Sequence, residues 1–139
     1  MADPDPGGSA LIVYVDRSDI RDGRLEALES AIPPLVRFIE SQEPQLVSYG
    51  FHLGEEAGVM TVVAVHRDSA SLERHMAIGG PEFRKLGDMI VLRQIEVFGS
   101  VSDRAREMLA QKAAMLGDGG VTVHERFAGF AHPLSAEAS

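Results

Sequence analysis

The sequence predicts an α+β fold in one domain: an antiparallel sheet built in the order βαββαβ, with one more helix and strand added after it. Three observations carry that prediction. Leu25, Leu28, Ile32, Leu35, Val36 and Ile39 recur at three- and four-residue steps, the stripe of a helix that faces a core. Residues 46–53 and 59–65 are two β-forming runs separated by Gly54-Glu55-Glu56-Ala57-Gly58, the pattern of a hairpin. The second of these runs, Val59-Met60-Thr61-Val62-Val63-Ala64-Val65, is apolar on both sides, which marks a strand covered on both faces.

Taken in order, residues 11–15 form a short apolar run that reads as the first strand. The polar segment 18–23 connects it to the first helix, with Asp19 or Asp22 as the expected cap. Pro33-Pro34 removes two backbone donors inside that helix, so a kink or short break is expected there. Pro44 ends the helical region. In the second strand Val47, Tyr49, Phe51 and Leu53 share one face, and Ser48, Gly50 and His52 share the other. Asp68 or Ser69 caps a second helix with Leu72 and Met76 as core contacts; Gly79-Gly80 stops it, and Pro81 opens a short turn through Phe83 and Leu86. Residues 89–98 give a mixed fourth strand. This is the split unit of the ferredoxin-like fold. Beyond it, Ser102 or Asp103 caps a helix with Ala105, Met108, Leu109, Lys112, Met115 and Leu116 on one side. Gly117-Asp118-Gly119-Gly120 is expected to end that helix, and 121–131 to form a fifth strand. The domain is expected over 10–132, with a flexible lead-in at 1–9 and a flexible tail at 133–139.

Composition narrows the function classes. The chain has 139 residues, 45% of them hydrophobic, and a formal charge of −8. An acidic chain lacks the positive field that a phosphate backbone requires, so neither nucleic acid nor a membrane is an expected partner. There is no cysteine, which removes disulfides, thiolate nucleophiles and cysteine metal sites. No apolar run reaches the roughly 18 residues of a membrane span, and residues 1–9 do not read as a signal peptide. A cytoplasmic location is expected. Helices can cover one face of the sheet; the other face, carrying Val, Leu, Ile, Phe and Tyr, would be an exposed apolar patch. A homodimer with sheets packed face to face is therefore expected. The plainer alternative is that the third long helix folds back over the second face.

Glu43-Pro44 before the strand with Tyr49, and Asp68-Ser69 followed by Leu72 and His75, resemble the antibiotic biosynthesis monooxygenase-like family of the dimeric α+β barrel superfamily. The resemblance covers residues 11–98. Gln45 stands where members usually have glycine, and Ala64 and His66 stand where members often have glutamate and an aromatic. The family includes oxygenases without metal or organic cofactor, haem-degrading enzymes, and small proteins of no assigned chemistry. Asparagine and tryptophan, which the family's enzymes use in the pocket, are absent from this chain.

What remains is histidine and tyrosine. His75 is the candidate catalytic residue for proton transfer near neutral pH, with Tyr49 beside it to orient a ligand hydroxyl. The plainer roles are a histidine that ties helix to sheet and a tyrosine of the core. His52 and His66, near the ends of adjacent strands, are candidate ligand-binding residues, or histidines of the surface or dimer rim. Arg93, inside a strand, is a candidate for a substrate anion; Glu96 or Asp16 could instead pair with it. No metal site is expected: His124-Glu125 opens a zinc-like motif, but the next histidine, His132, falls eight residues on instead of four. No GxGxxG, Walker loop or GxSxG elbow occurs, and no cofactor is expected. The function expected is binding of a small apolar or aromatic molecule, with cofactor-independent monooxygenase chemistry as the concrete enzymatic form. The alternatives are a non-catalytic ligand-binding or stress-responsive protein, and a haem-binding member.

Overall fold

The structure is a computed structural model that describes residues 11–55 and 57–132. The expected lead-in at 1–9 and tail at 133–139 lie outside the described residues. The elements run β1 (Ile12–Ile20), α1 (Leu25–Gln42), β2 (Leu46–Leu53), β3 (Val59–His66), α2 (Ser69–Ile78), α3 (Gly80–Arg84), a 3-10 turn (Lys85–Asp88), β4 (Ile90–Phe98), α4 (Asp103–Leu116) and β5 (Gly117–His124). The five strands form one sheet in the order β2-β3-β1-β4-β5. The first four pair antiparallel, and β5 joins the β4 edge in parallel. The ferredoxin-like α+β architecture expected from the sequence is the one found.

One face of the sheet carries the core. Ile12, Tyr14 and Asp16 of β1, Met60, Val62, Ala64 and His66 of β3, and Ile90, Leu92, Ile95 and Val97 of β4 are all buried there. Leu28 and Ile32 of α1, Leu72 of α2, Phe83 of α3 and Leu109 of α4 cover them. The third long helix, α4, lies on this same side, since Lys112 reaches Tyr14 and Asp16. It does not cover the second face.

That second face differs from expectation. The Leu, Ile and Tyr side chains turn under the helices, leaving a smaller patch. Val13 lies opposite Val65 and Val15 opposite Val63, all half-buried, with Phe98 opposite Val13. Polar groups flank it, among them His52, Arg93 and Glu96. No helix of the described residues is long and apolar enough to cross a membrane.

Several local expectations are corrected. The Pro33-Pro34 pair does not break α1, which continues from Leu25 to Gln42. Both prolines are on the exposed side, as are Glu29 and Ser30, whose carbonyls they leave without a helical donor, so water can serve those carbonyls. Neither Asp19 nor Asp22 caps α1; Arg24 holds that position without a side-chain bond, after Gly23 turns the chain at φ 75°. Asp68 and Ser102 do cap their helices, accepting from the amides of Ser71 and Ala105. The glycine run does not separate α4 from the last strand; it begins it. A Cβ on Gly117 would sit 1.9 Å from the Leu92 carbonyl oxygen, and one on Gly119 would sit 1.8 Å from that of Arg93. Glycine is what lets β5 lie against β4 directly after the helix. Residues 125–131, expected as strand, have no regular structure.

Candidate functional site

The layer between helices and sheet holds an unusual set of buried ionisable groups. Glu43, His66, His75, Asp16, Tyr14 and Lys112 are each 8% exposed or less. Such groups are costly in a low-dielectric interior unless paired, and they concentrate where chemistry is done. They form two neighbouring clusters.

The first joins the end of α1 to the last turn of α2. Glu43 follows α1 and caps its C-terminus, while His75 lies on α2. His75 Nδ1 lies 3.0 and 2.9 Å from the two carboxylate oxygens of Glu43. The carboxylate accepts, so the proton sits on Nδ1 and Nε2 is left as the basic nitrogen. Gly79 permits this approach: a Cβ there would meet Ile39 Cδ1 at 2.8 Å, His75 Cε1 at 2.9 Å and Glu43 Oε2 at 3.1 Å. The Tyr49 ring packs edge-on to His75 at 5.2 Å and to Phe51 at 5.3 Å. Burial first, then the charges of Asp16 and Glu43, raise the Tyr49 hydroxyl well above its usual range, so it stays protonated.

His66 completes this cluster, 5.5 Å from His75. It is fully buried, not at a surface or rim, with Nδ1 2.9 Å from Ser71 Oγ and Nε2 without a hydrogen-bond partner among the described residues. Burial, reinforced by His75, pushes its pKa down to about 3. An open cleft of about 360 Å³ lies between α1 and β2, lined by Ile39, Glu43, Pro44, Leu46 and Tyr49 among others. His75 stands behind Glu43 and Tyr49 and does not line this cleft.

The second cluster was not foreseen. Tyr14 Oη donates to Asp16 Oδ2. Lys112 Nζ donates to Tyr14 Oη at 2.6 Å and to Asp16 Oδ2 at 3.3 Å. The ammonium also sits 4.1 Å from the centre of the Phe83 ring. Phe83 stacks on Phe51 at 6.1 Å, which links the two clusters. Burial lowers the Lys112 pKa against the opposing pull of Asp16; burial and Asp16 together raise that of Tyr14. Asp16 Oδ1 has no hydrogen-bond partner among the described residues. The signal in the sequence was a lysine inside an otherwise apolar helix stripe.

The remaining candidates are elsewhere. His52 pairs with Thr61 across the hairpin while His66 pairs with Leu46, so the two histidines sit at opposite ends and on opposite faces. Arg93 is on the uncovered face. Its expected partners Asp16 and Glu96 are not those found: it binds Asp19 at 2.7 Å and Asp118 at 3.0 Å. Asp16 points to the helix side, and Glu96 pairs with His124, which stacks on Phe98.

No protein-family model matches the chain, and no curated protein is detectably similar in sequence. Solved structures do match. MupZ from Pseudomonas fluorescens aligns over 91% of this chain and 98% of its own at 18% identity, with a TM-score of 0.68. A proposed antibiotic biosynthesis monooxygenase from Caulobacter crescentus covers 68% of this chain and 92% of its own at 17% identity, TM-score 0.59. SnoaB, a cofactor-independent oxygenase from Streptomyces nogalater, covers 67% and 95% at 18% identity, TM-score 0.54. At such identities the likeness is one of fold. The fold is the ferredoxin-like α+β fold, and its solved examples include a protein of the monooxygenase kind that the sequence motifs resemble. The MupZ match is too long to stop at β4 and so takes in the α4–β5 addition.

Proposed function

We propose that this chain, with the antibiotic biosynthesis monooxygenase-like fold, is a homodimeric cytoplasmic protein that binds a small apolar or aromatic molecule and transfers a proton from it without an organic cofactor. The observation that carries this reading is the Glu43–His75 pair beside Tyr49. A buried carboxylate fixes the imidazole tautomer, the ring is packed against an aromatic, and Nε2 remains to accept a proton. An open cleft is bounded by Glu43 and Tyr49, the two residues that touch His75, so a ligand seated there meets the pair through those two side chains. In the concrete enzymatic form, supported by the shared fold with SnoaB, a deprotonated aromatic substrate itself reduces oxygen. One oxygen atom enters the product and the other leaves as water, while the apolar surroundings exclude bulk water.

The test is oxygen uptake with a polyphenolic substrate. Uptake that is lost in His75→Ala, with the far-UV circular dichroism unchanged, supports the reading; tight binding without uptake overturns the enzymatic form. The second reading, a non-catalytic binding protein, is favoured by the near-complete burial of His75 and by the way its bond to Glu43 ties α1 to α2. The haem-binding reading gains no support, since His75 does not face the cleft. The uncovered valine patch supports the homodimer, because burial of apolar area stabilises association at roughly 25 cal/mol per Å² before its costs. Val63→Glu is expected to halve the mass seen by sedimentation; a wild-type chain that sediments as one protomer would refute the dimer.

A further inference from the structure

Lysine is scarce in this chain. Of its thirteen basic residues only Lys85 and Lys112 are lysines, and the rest are arginines. Lys85 is exposed and paired with Glu82 at 3.0 Å. Lys112 is nearly buried. Arginine keeps its proton under all ordinary conditions, whereas a desolvated lysine can give its proton up. A permanently charged pair would have been served by arginine, the residue this chain uses almost everywhere else.

The surroundings of Lys112 add the rest. Lys112 is the member of its cluster that meets open space, a crevice of about 90 Å³ walled by Met76, Met108, Met115 and Leu116 together with Arg84 and Gln111. Two of its three ammonium hydrogens are directed to Tyr14 and Asp16. Asp16 has a second oxygen, buried and without a hydrogen-bond partner among the described residues, able to take a proton. An amine, a proton acceptor, a hydroxyl donor and a small crevice lined largely by methionine and leucine therefore meet at Lys112.

We propose that Lys112 is an amine nucleophile that forms a Schiff base with a small aliphatic aldehyde or ketone admitted by the crevice between α2 and α4. Asp16 takes one ammonium proton and frees the nitrogen lone pair. Nζ attacks the carbonyl carbon; the π pair moves to oxygen, which receives that proton through Tyr14. The nitrogen's next proton follows the same route, the hydroxyl leaves as water, and the lone pair closes the C=N bond of a protonated imine. No oxidant or reductant enters. A desolvated lysine in an apolar pocket is an established way to obtain such a nucleophile. The site is distinct from Glu43–His75, so oxygen uptake and imine formation succeed or fail separately.

The experiment is reductive trapping of the full chain with butanal and cyanoborohydride at neutral pH, followed by peptide mass mapping. The two lysines compete within one molecule, so no variant is needed for the main result. An adduct on Lys112 that forms several-fold faster than the one on exposed Lys85 is expected. Labelling of Lys85 alone, or of both at the same pace, overturns the proposal. Asp16→Asn is expected to slow the labelling of Lys112 and to leave that of Lys85 unaltered, with unchanged circular dichroism. An unaltered Lys112 rate would overturn the part assigned to Asp16.

Discussion

The two faces of the sheet are built from the same strands yet hold their charges in opposite ways. On the helix side, Asp16 is fully buried and Lys112 nearly so, with only the lysine reaching a crevice. On the other side, Arg93 bridges Asp19 and Asp118 in the open. Both are lysine- or arginine-to-carboxylate pairs at hydrogen-bond distance. In the interior neither partner can be removed without stranding the other, whereas at the surface water replaces whatever is lost. Geometry alone therefore says little about what a pair contributes; its surroundings decide.

The sharpest way to break this contrast is Lys112→Ala. It leaves Asp16 buried without its cation, and a loss of about 3–5 kcal/mol in urea unfolding is expected. A loss under 1 kcal/mol would mean that water reaches the carboxylate freely. Next comes Gly79→Ala. Its methyl group would press on Ile39, His75 and Glu43; about 1–3 kcal/mol of destabilisation is expected for such overpacking, read from the same titration. Third is the pH dependence of folding. His66 has a folded-state pKa of about 3 against 6.5 for the ordinary side chain. The unfolded chain therefore binds the proton first, so the stability due to neutral His66 is whole above about 6.5 and drains as pH falls toward 3. Its slope is at most about 1.4 kcal/mol per pH unit. His66→Asn should flatten the stability profile between these limits; an unchanged profile would show that His66 stays wet. The smallest effect belongs to Arg93→Ala, for which no measurable shift in melting temperature is expected.

The fold was legible where the pattern is local. The α1 stripe, the hairpin runs, and the caps at Asp68 and Ser102 each depend on residues within a few positions of one another. The clusters were only half legible. His75 and Tyr49 stood out by residue type, but the role of Glu43 depends on a contact 32 positions away. Asp16 looked like a partner for Arg93 because strand alternation cannot tell which face α4 will cover; the contact that claims it spans 96 positions. His66 looked like a strand end open to water, until the start of α2 folded over it with Ser71. The glycines at 117 and 119 read as a helix stop because the approach of β4 that demands them is a tertiary fact.

Lys112 arrives on a helix that exists only because the chain continues past β4. A version of this architecture cut short there would keep the Asp16 carboxyl under the helices but lose the amine that meets it at 3.3 Å. The appended segment thus supplies half of a contact whose other half lies in the first strand.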